Sequence, residues 1–160
     1  MIRVGIGQDS HSFTKEKKLL KLAGIIIKNE AGLEGNSDAD VVLHALFNAI
    51  SQALGNKSIG HYADPLCKKG IIDSKEYLKI ALDMCKEKSF VINNIGIMIE
   101  AQKPKLESFV DEMKKSISNI AKINEDAVGI TLTTGENLTA FGKGLGIQVF
   151  AIVSLIKNEN

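Results

Sequence analysis

The segment Gly146–Ile156, GIQVFAIVSLI, is apolar at nearly every position. Read as a β-strand, it carries apolar side chains on both faces, because successive residues point to opposite sides of a sheet. Such a strand has to be covered twice. Helices of the same chain can cover one face, and the other needs a second surface. The segment SDADVVLHALFNAISQALG (37–55) spaces Val41, Val42, Ala45, Leu46, Ala49 and Ile50 near 3.6 residues and predicts a helix. Ser37 and Asp40 fit an S-x-x-D capping box at its start, and Gly55 suits its end. Residues 74–88 predict a second amphipathic helix. Residues 105–122 predict a third, with Leu106, Val110, Met113, Ile117 and Ile120 on its stripe. Strands are predicted at 2–9, 19–27, 91–101, 128–134 and 146–156, and a polar loop at 56–73. Strand and helix patterns mix without repeat or linker. The fold class is therefore α/β (α+β), with residues 1–160 as a single domain.

Composition narrows the function classes. Apolar residues make up 44% and charged residues 24% of the 160, too balanced for a disordered chain, and no apolar run reaches membrane-spanning length. The net charge is +1 and the basic residues form no long tract, so neither nucleic acid nor membrane is an expected partner. Cys67 and Cys85 show no CxxC spacing and read as reduced thiols. With no leader pattern at the N-terminus, a cytoplasmic location is expected.

Asp9 and His11 stand two apart at the end of the first strand pattern, in VGIGQDSHSF (4–13). If the strand continues through them, both side chains project from one face. Taken alone, the pair reads more readily as a turn with a surface histidine. His44, one turn beyond Asp40 on the first helix, reads alone as a buried, hydrogen-bonded residue. Together the three form a ligand set suited to zinc or a related divalent ion, with a fourth position open, as in catalytic rather than structural sites. A further segment, TLTTGENLTAFGKGLG (131–146), combines threonine hydroxyls with Gly-rich backbone suited to phosphate oxygens. Glu136 suits a hard cation such as Mg²⁺, and Lys143 suits a phosphate as a point charge. It is not a Walker A loop, since no Ser or Thr follows Lys143. The plain alternative is a hairpin connection between two strands.

In order along the chain stand D-x-H after the first strand, S-D-x-D-V-x-x-H-A-L on the first helix, A-Q-x-P-K after a middle strand, and T-T-x-E before the last strand. This ordered set resembles the 2-C-methyl-D-erythritol 2,4-cyclodiphosphate synthase family from Ile2 to the end of the chain. The resemblance implies a small mixed β-sheet backed by helices on one face. It also implies a homotrimer with sheets around a central cavity and active sites between subunits. The implied reaction belongs to the non-mevalonate isoprenoid pathway and takes 4-diphosphocytidyl-2-C-methyl-D-erythritol 2-phosphate to the cyclic diphosphate with release of CMP. The implied cofactors are one zinc-type ion (Zn²⁺, or Mn²⁺ or Co²⁺) per subunit on Asp9, His11 and His44, and a Mg²⁺ on Glu136. Asn36 and Thr134 would steady the transition state, with Ser37 beside Asn36 against the substrate. Ala101, Gln102, Lys103, Pro104, Lys105 and Leu106, on to Glu107, match the loop whose backbone cups the cytosine, with Thr133 beside it. Ser58, Ile59 and Gly60 match the ribose contact, and Asp64 lies in the flap over the erythritol.

The chain departs from the family's usual pattern at several of these places. Asn36 stands for a His, Ser58 for an Asp, Ala140 for a Phe, Lys143 for an Arg and Leu145 for a Glu. After Gly60 the usual F-P-D-x-D stretch is shortened to HYADP, in which His61 reads as a surface residue. Two other classes fit the same residues. One is a metal-dependent phosphoesterase using a metal-activated water. The other is a non-catalytic relative that binds a nucleotide or an isoprenoid diphosphate.

Overall fold

The computed structural model describes residues 1–158. Its main sheet has four strands: β1 (Ile2–Ser12), β4 (Phe90–Glu100), β5 (Val128–Thr133) and β6 (Gly146–Lys157). Their order is β1-β6-β4-β5. β6 pairs antiparallel with both β1 and β4, while β4 and β5 run parallel. The sheet is therefore mixed, as expected. A separate hairpin joins β2 (Leu20–Leu22) and β3 (Ile25–Ile27). The helices are α1 (Val41–Ala53), α2 (Ile59–Cys67), α3 (Ser74–Glu87) and α4 (Val110–Ala121).

Burial along β6 explains its composition. Ile147, Val149, Ala151, Val153 and Leu155 are buried beneath the helices, while Phe150 is half-buried and Ile152 and Ile156 are exposed. β1 repeats this outer stripe with Ile2, Val4 and Ile6, which are 71%, 64% and 49% exposed. Ile6 lies opposite Ile152 across the β1–β6 ladder. The helices thus cover one face of the sheet, and the other presents an apolar strip to solvent.

The helical side is organised by a close approach. A Cβ on Gly5 would lie 2.1 Å from the Ala49 carbonyl oxygen, and one on Gly7 would lie 2.0 Å from that of Ala45. β1 therefore meets α1 backbone to backbone, which only glycine permits. Asp40 caps α1 and accepts from Leu43 N at 3.1 Å, Ala23 N at 2.9 Å and Gly24 N at 2.6 Å. One fully buried carboxylate thus ties the β2–β3 turn to the start of α1.

Four readings of the sequence need correction. The single strand at 19–27 is a hairpin, because Ala23 (φ 56°) and Gly24 (φ 80°) both take left-handed backbone, the signature of a two-residue I′ turn. The helix predicted from residue 37 begins at Val41. Asp40 is the cap, while Ser37 instead accepts from Ala39 N at 3.1 Å. The loop at 56–73 contains α2. Asn48 Oδ1 accepts from Ile59 N at its start, and Pro65 sits inside it. The segment 131–146 is not a hairpin connection either, since β4 lies between β5 and β6.

The seat of α1 makes a direct prediction. Gly7→Ala forces the α1 backbone off β1 and costs about 3 kcal/mol or more, the upper end of overpacking penalties, because no flexible side chain can yield. Urea unfolding measures it, and an unchanged unfolding free energy would mean that α1 has room to spare.

Candidate functional site

Asp9 and His11 occupy the helix-facing alternation of β1, in line with Gly5 and Gly7. α1 lies on that face, so His44 in its first turn arrives over Asp9. Asp9 Oδ2 stands 3.0 Å from His11 Nε2 and 3.0 Å from His44 Nδ1. Among the described residues, these three form a group whose ligand atoms lie within 4.8 Å of one another. Burial alone would raise the Asp9 carboxyl, but hydrogen bonds and charge from His11 and His44 outweigh it and hold it at about 2. The hydrogen bond to Asp9 raises His11. The sequence-predicted triad is therefore assembled.

His44 is also held from behind. Its Nε2 lies 2.7 Å from Ser74 Oγ, and Ser74 donates its own hydroxyl proton to Asp38 Oδ1. Asp38 Oδ2 accepts from Ser74 N at 3.1 Å and faces Lys21 Nζ at 3.5 Å. A serine with its proton committed to a carboxylate can only accept from His44, so the network puts the imidazole proton on Nε2. Nδ1 then turns a lone pair toward the Asp9 carboxylate. In that tautomer the Nδ1 lone pair, the Asp9 carboxylate 3.0 Å away and His11 form a donor set of one carboxylate and two imidazoles, which fits a zinc-type ion; without a metal, a protonated His44 donates to Asp9 instead. The reading of the sequence missed Asp38 and Ser74. Ser74 showed only as the first residue of the predicted second helix.

The loop from Gly35 to Ala39 borders the cluster. Gly35 lies against the His11 ring, its ideal Cβ position 3.4 Å from His11 Cε1. Exposed Asn36 follows it, and its carbonyl accepts from Cys67 Sγ at 3.3 Å, near the end of α2. Ser58 precedes α2 and is exposed, without a capping bond of its own; Ile59 and Gly60 are half-buried, and Asp64 and His61 are exposed.

The other expected residues gather at the opposite edge of the sheet. A pocket of about 250 Å³ is lined by Ala101, Pro104, Lys105, Leu106, Glu107, Thr133 and Thr134, with Ile99 and Leu132 as its apolar wall. An adjoining recess holds Gln102, Lys105, Thr134, Asn137, Gly142 and Lys143. Lys103 lies instead near Phe13, its Nζ 5.7 Å from the ring centroid. Thr133 Oγ1 accepts from Gly135 N at 3.2 Å, and Thr134 Oγ1 from Glu136 N at 3.4 Å. Both threonines keep their O–H groups free to donate. Glu136 is exposed at φ 50°, at the tip of the same turn.

The two groups are not one cavity. β1 and β5 are separated by β6 and β4, three strand spacings of about 4.8 Å each, or roughly 14 Å. Asp9 faces the helices, whereas Thr133 falls on the opposite alternation from Leu132, toward the open face.

Comparison with known proteins follows the same outline. A 2-C-methyl-D-erythritol 2,4-cyclodiphosphate synthase of Chlamydia muridarum is 44% identical over 158 residues, covering 97% of this chain and 88% of its own. The structure of the bifunctional IspDF of Campylobacter jejuni superposes with a TM-score of 0.90 at 37% identity, over 97% of this chain and 42% of that one. This chain thus spans less than half of the bifunctional protein. A CDP complex of IspF from Plasmodium falciparum gives a TM-score of 0.86 at 30% identity, over 99% of this chain and 97% of that one. The triad and the pocket lie within residues 2–156, the stretch matched by the YgbB family model, and the chain belongs to the YgbB family.

Proposed function

We propose that the protein is a 2-C-methyl-D-erythritol 2,4-cyclodiphosphate synthase, a phosphorus–oxygen lyase of the non-mevalonate isoprenoid pathway. It converts 4-diphosphocytidyl-2-C-methyl-D-erythritol 2-phosphate to the 2,4-cyclodiphosphate and CMP. The observation that carries this reading is the convergence of Asp9, His11 and His44, the positions the family resemblance assigns to a metal, on one point. Asp9, His11 and His44 would hold a divalent metal of the zinc, manganese or cobalt type, which would supply Lewis acidity toward a phosphate, and Glu136 would hold a Mg²⁺ that would offset diphosphate charge.

The chain's own groups supply the rest. An oxygen of the substrate's 2-phosphate bonds to the β-phosphorus, the bond from that phosphorus to the bridging oxygen breaks, and CMP leaves with the electron pair. The nucleophile is already ionised near neutral pH, so no side chain has to take a proton. The protein's task is to bring two anionic groups together and to offer donors where charge builds up. The free O–H of Thr134 and the amide of Asn36 serve as such donors. Lys105 and Lys143 share the recess beside Thr134, which suits a diphosphate. Cytosine sits against the backbone of residues 101–107 with Thr133. Ser37, Ser58, Ile59 and Gly60 face the sugar end, and Asp64 the erythritol.

The separation of the two groups on one subunit supports an active site completed by a neighbour. A homotrimer packing its open sheet faces together also covers Ile2, Val4, Ile6 and Ile152, which one subunit leaves exposed. A cytoplasmic location agrees with the free thiols of Cys67 and Cys85. No helix among the described residues is long and apolar enough to cross a membrane.

Three measurements test the proposal. Phosphorus NMR of the reaction should show the cyclic diphosphate together with CMP; a hydrolysed phosphate would make the protein a phosphoesterase, and unchanged substrate a binding protein only. His44→Ala should lose bound metal and activity while its circular dichroism stays that of the folded protein. Retention of one metal per subunit in that variant would place the ion elsewhere. Light scattering at micromolar concentration should give three subunits per particle, whereas a monomer would leave the two half-sites unjoined.

A further inference from the structure

We propose that Ser74 and Asp38 are positioning residues for the metal centre, acting through His44. This inference rests on the reading of Asp9, His11 and His44 as metal ligands. Ser74 is 1% exposed and its hydroxyl has two partners, Asp38 Oδ1 as acceptor and His44 Nε2 as donor. The helix does not need that hydroxyl. Asp73 caps α3 by accepting from Lys75 N at 3.0 Å, and the Ser74 backbone N–H goes to Asp38 at 3.1 Å. What the hydroxyl does is decide which imidazole nitrogen carries the proton.

With the proton on Nε2, His44 presents its Nδ1 lone pair beside Asp9 Oδ2. The opposite tautomer would put an N–H where a metal has to bind. Asp38 enforces the choice because a carboxylate only accepts, so the Ser74 proton points away from His44. Asp38 is itself held by the Ser74 N–H and by Lys21 Nζ, and its Oδ1 faces Asp40 N at 3.3 Å. The chain Asp38–Ser74–His44 thus joins the loop before α1 and the first residue of α3 to the ligand on α1. Hydrogen bonding behind a metal-bound histidine fixes its orientation and raises its basicity. Losing such a partner costs on the order of 10–100-fold in metal affinity.

The test measures metal affinity rather than turnover. Metal-free wild type, Ser74→Ala, Ser74→Thr, Asp38→Asn and His44→Ala are titrated with Zn²⁺ against a chromophoric chelator, and with Co²⁺ for its visible absorption. Thermal melts of the metal-free proteins serve as the folding control. Ser74→Ala should bind Zn²⁺ about 10–100-fold more weakly. Ser74→Thr, which keeps the hydroxyl, should recover most of the loss, and Asp38→Asn should weaken binding in the same direction. A folded Ser74→Ala that binds as tightly as wild type, while His44→Ala does not bind, overturns the inference and leaves the metal site intact. Equal loss in the Ala and Thr variants assigns the effect to packing and also overturns it. If Ser74→Ala does not fold, unchanged affinity in Asp38→Asn overturns it instead. His44→Ala binding like wild type is a different failure, that of the metal reading itself.

Discussion

The structure depends on the backbone contact between β1 and α1. Side chains ordinarily hold a helix about 10 Å above a sheet. Here Gly5 and Gly7 remove them, and the carbonyls of Ala45 and Ala49 come down onto the strand. The consequence is local and chemical. Asp9 continues the glycine alternation by one more step, at the point where α1 begins, so its short side chain reaches His44 directly. A bulky residue at Gly7 would lift the helix and separate the ligands without touching any of them. Asp40 fixes the other end of the arrangement by anchoring the first turn of α1 to the β2–β3 turn, which keeps the helix from sliding along the strand.

The sheet then divides the work between its edges. β1 holds Asp9 and His11 of the triad on the helix-covered face, while the end of β5 leads into the turn with Thr133, Thr134 and Glu136. The backbone of the 101–107 loop is docked on the same turn, since Ala101 N donates to the Thr133 carbonyl at 3.0 Å and Gln102 N to that of Phe141 at 3.3 Å. Buried Glu100 accepts from Thr139 Oγ1, which in turn accepts from Gly142 N at 2.9 Å. The Thr133–Glu136 turn is therefore braced on both sides. The triad and this turn thus stand on opposite edges of the sheet, and the open face between them carries exposed Ile2, Val4, Ile6 and Ile152.

How much of this was legible follows from how local each determinant is. The apolar stripes of α1, α3 and α4 are written at helical spacing, and those helices fall close to where the pattern puts them. The triad was legible because Asp9 and His11 are two apart on a strand and His44 keeps a fixed offset from the Asp40 cap. The hairpin at 19–27 was hidden because LLKLAGIII is apolar on both sides of its turn, and Ala23 gives no sign of left-handed backbone. α2 was hidden by Pro65 and by flanking glycines, while the bond that starts it comes from Asn48 on another helix. Ser37 looked like a cap because the S-x-x-D spacing is right, but only the fold shows that Asp40 also serves the Ala23–Gly24 turn.

The departures from the family pattern sort along the same line. Asn36 and Ser58 are exposed, and each meets the rest of the protein through backbone: Asn36 accepts from Cys67 through its carbonyl, and Ser58 through its carbonyl from His61 N. Their side chains carry no packing, so a residue of another kind at either place leaves the fold undisturbed. The residues around His44 are built the other way. Ser74, Asp38 and Asp40 sit in buried or nearly buried hydrogen bonds whose partners lie on three different elements. Removing one leaves a buried polar group unpaired, a cost of about 1–3 kcal/mol. Changes in the chain are therefore cheap at the exposed Asn36 and Ser58 and costly beneath His44. Asn36 and Ser58 are thus outside the constraints of the fold, while the hydrogen bonds behind His44 hold the geometry of the triad.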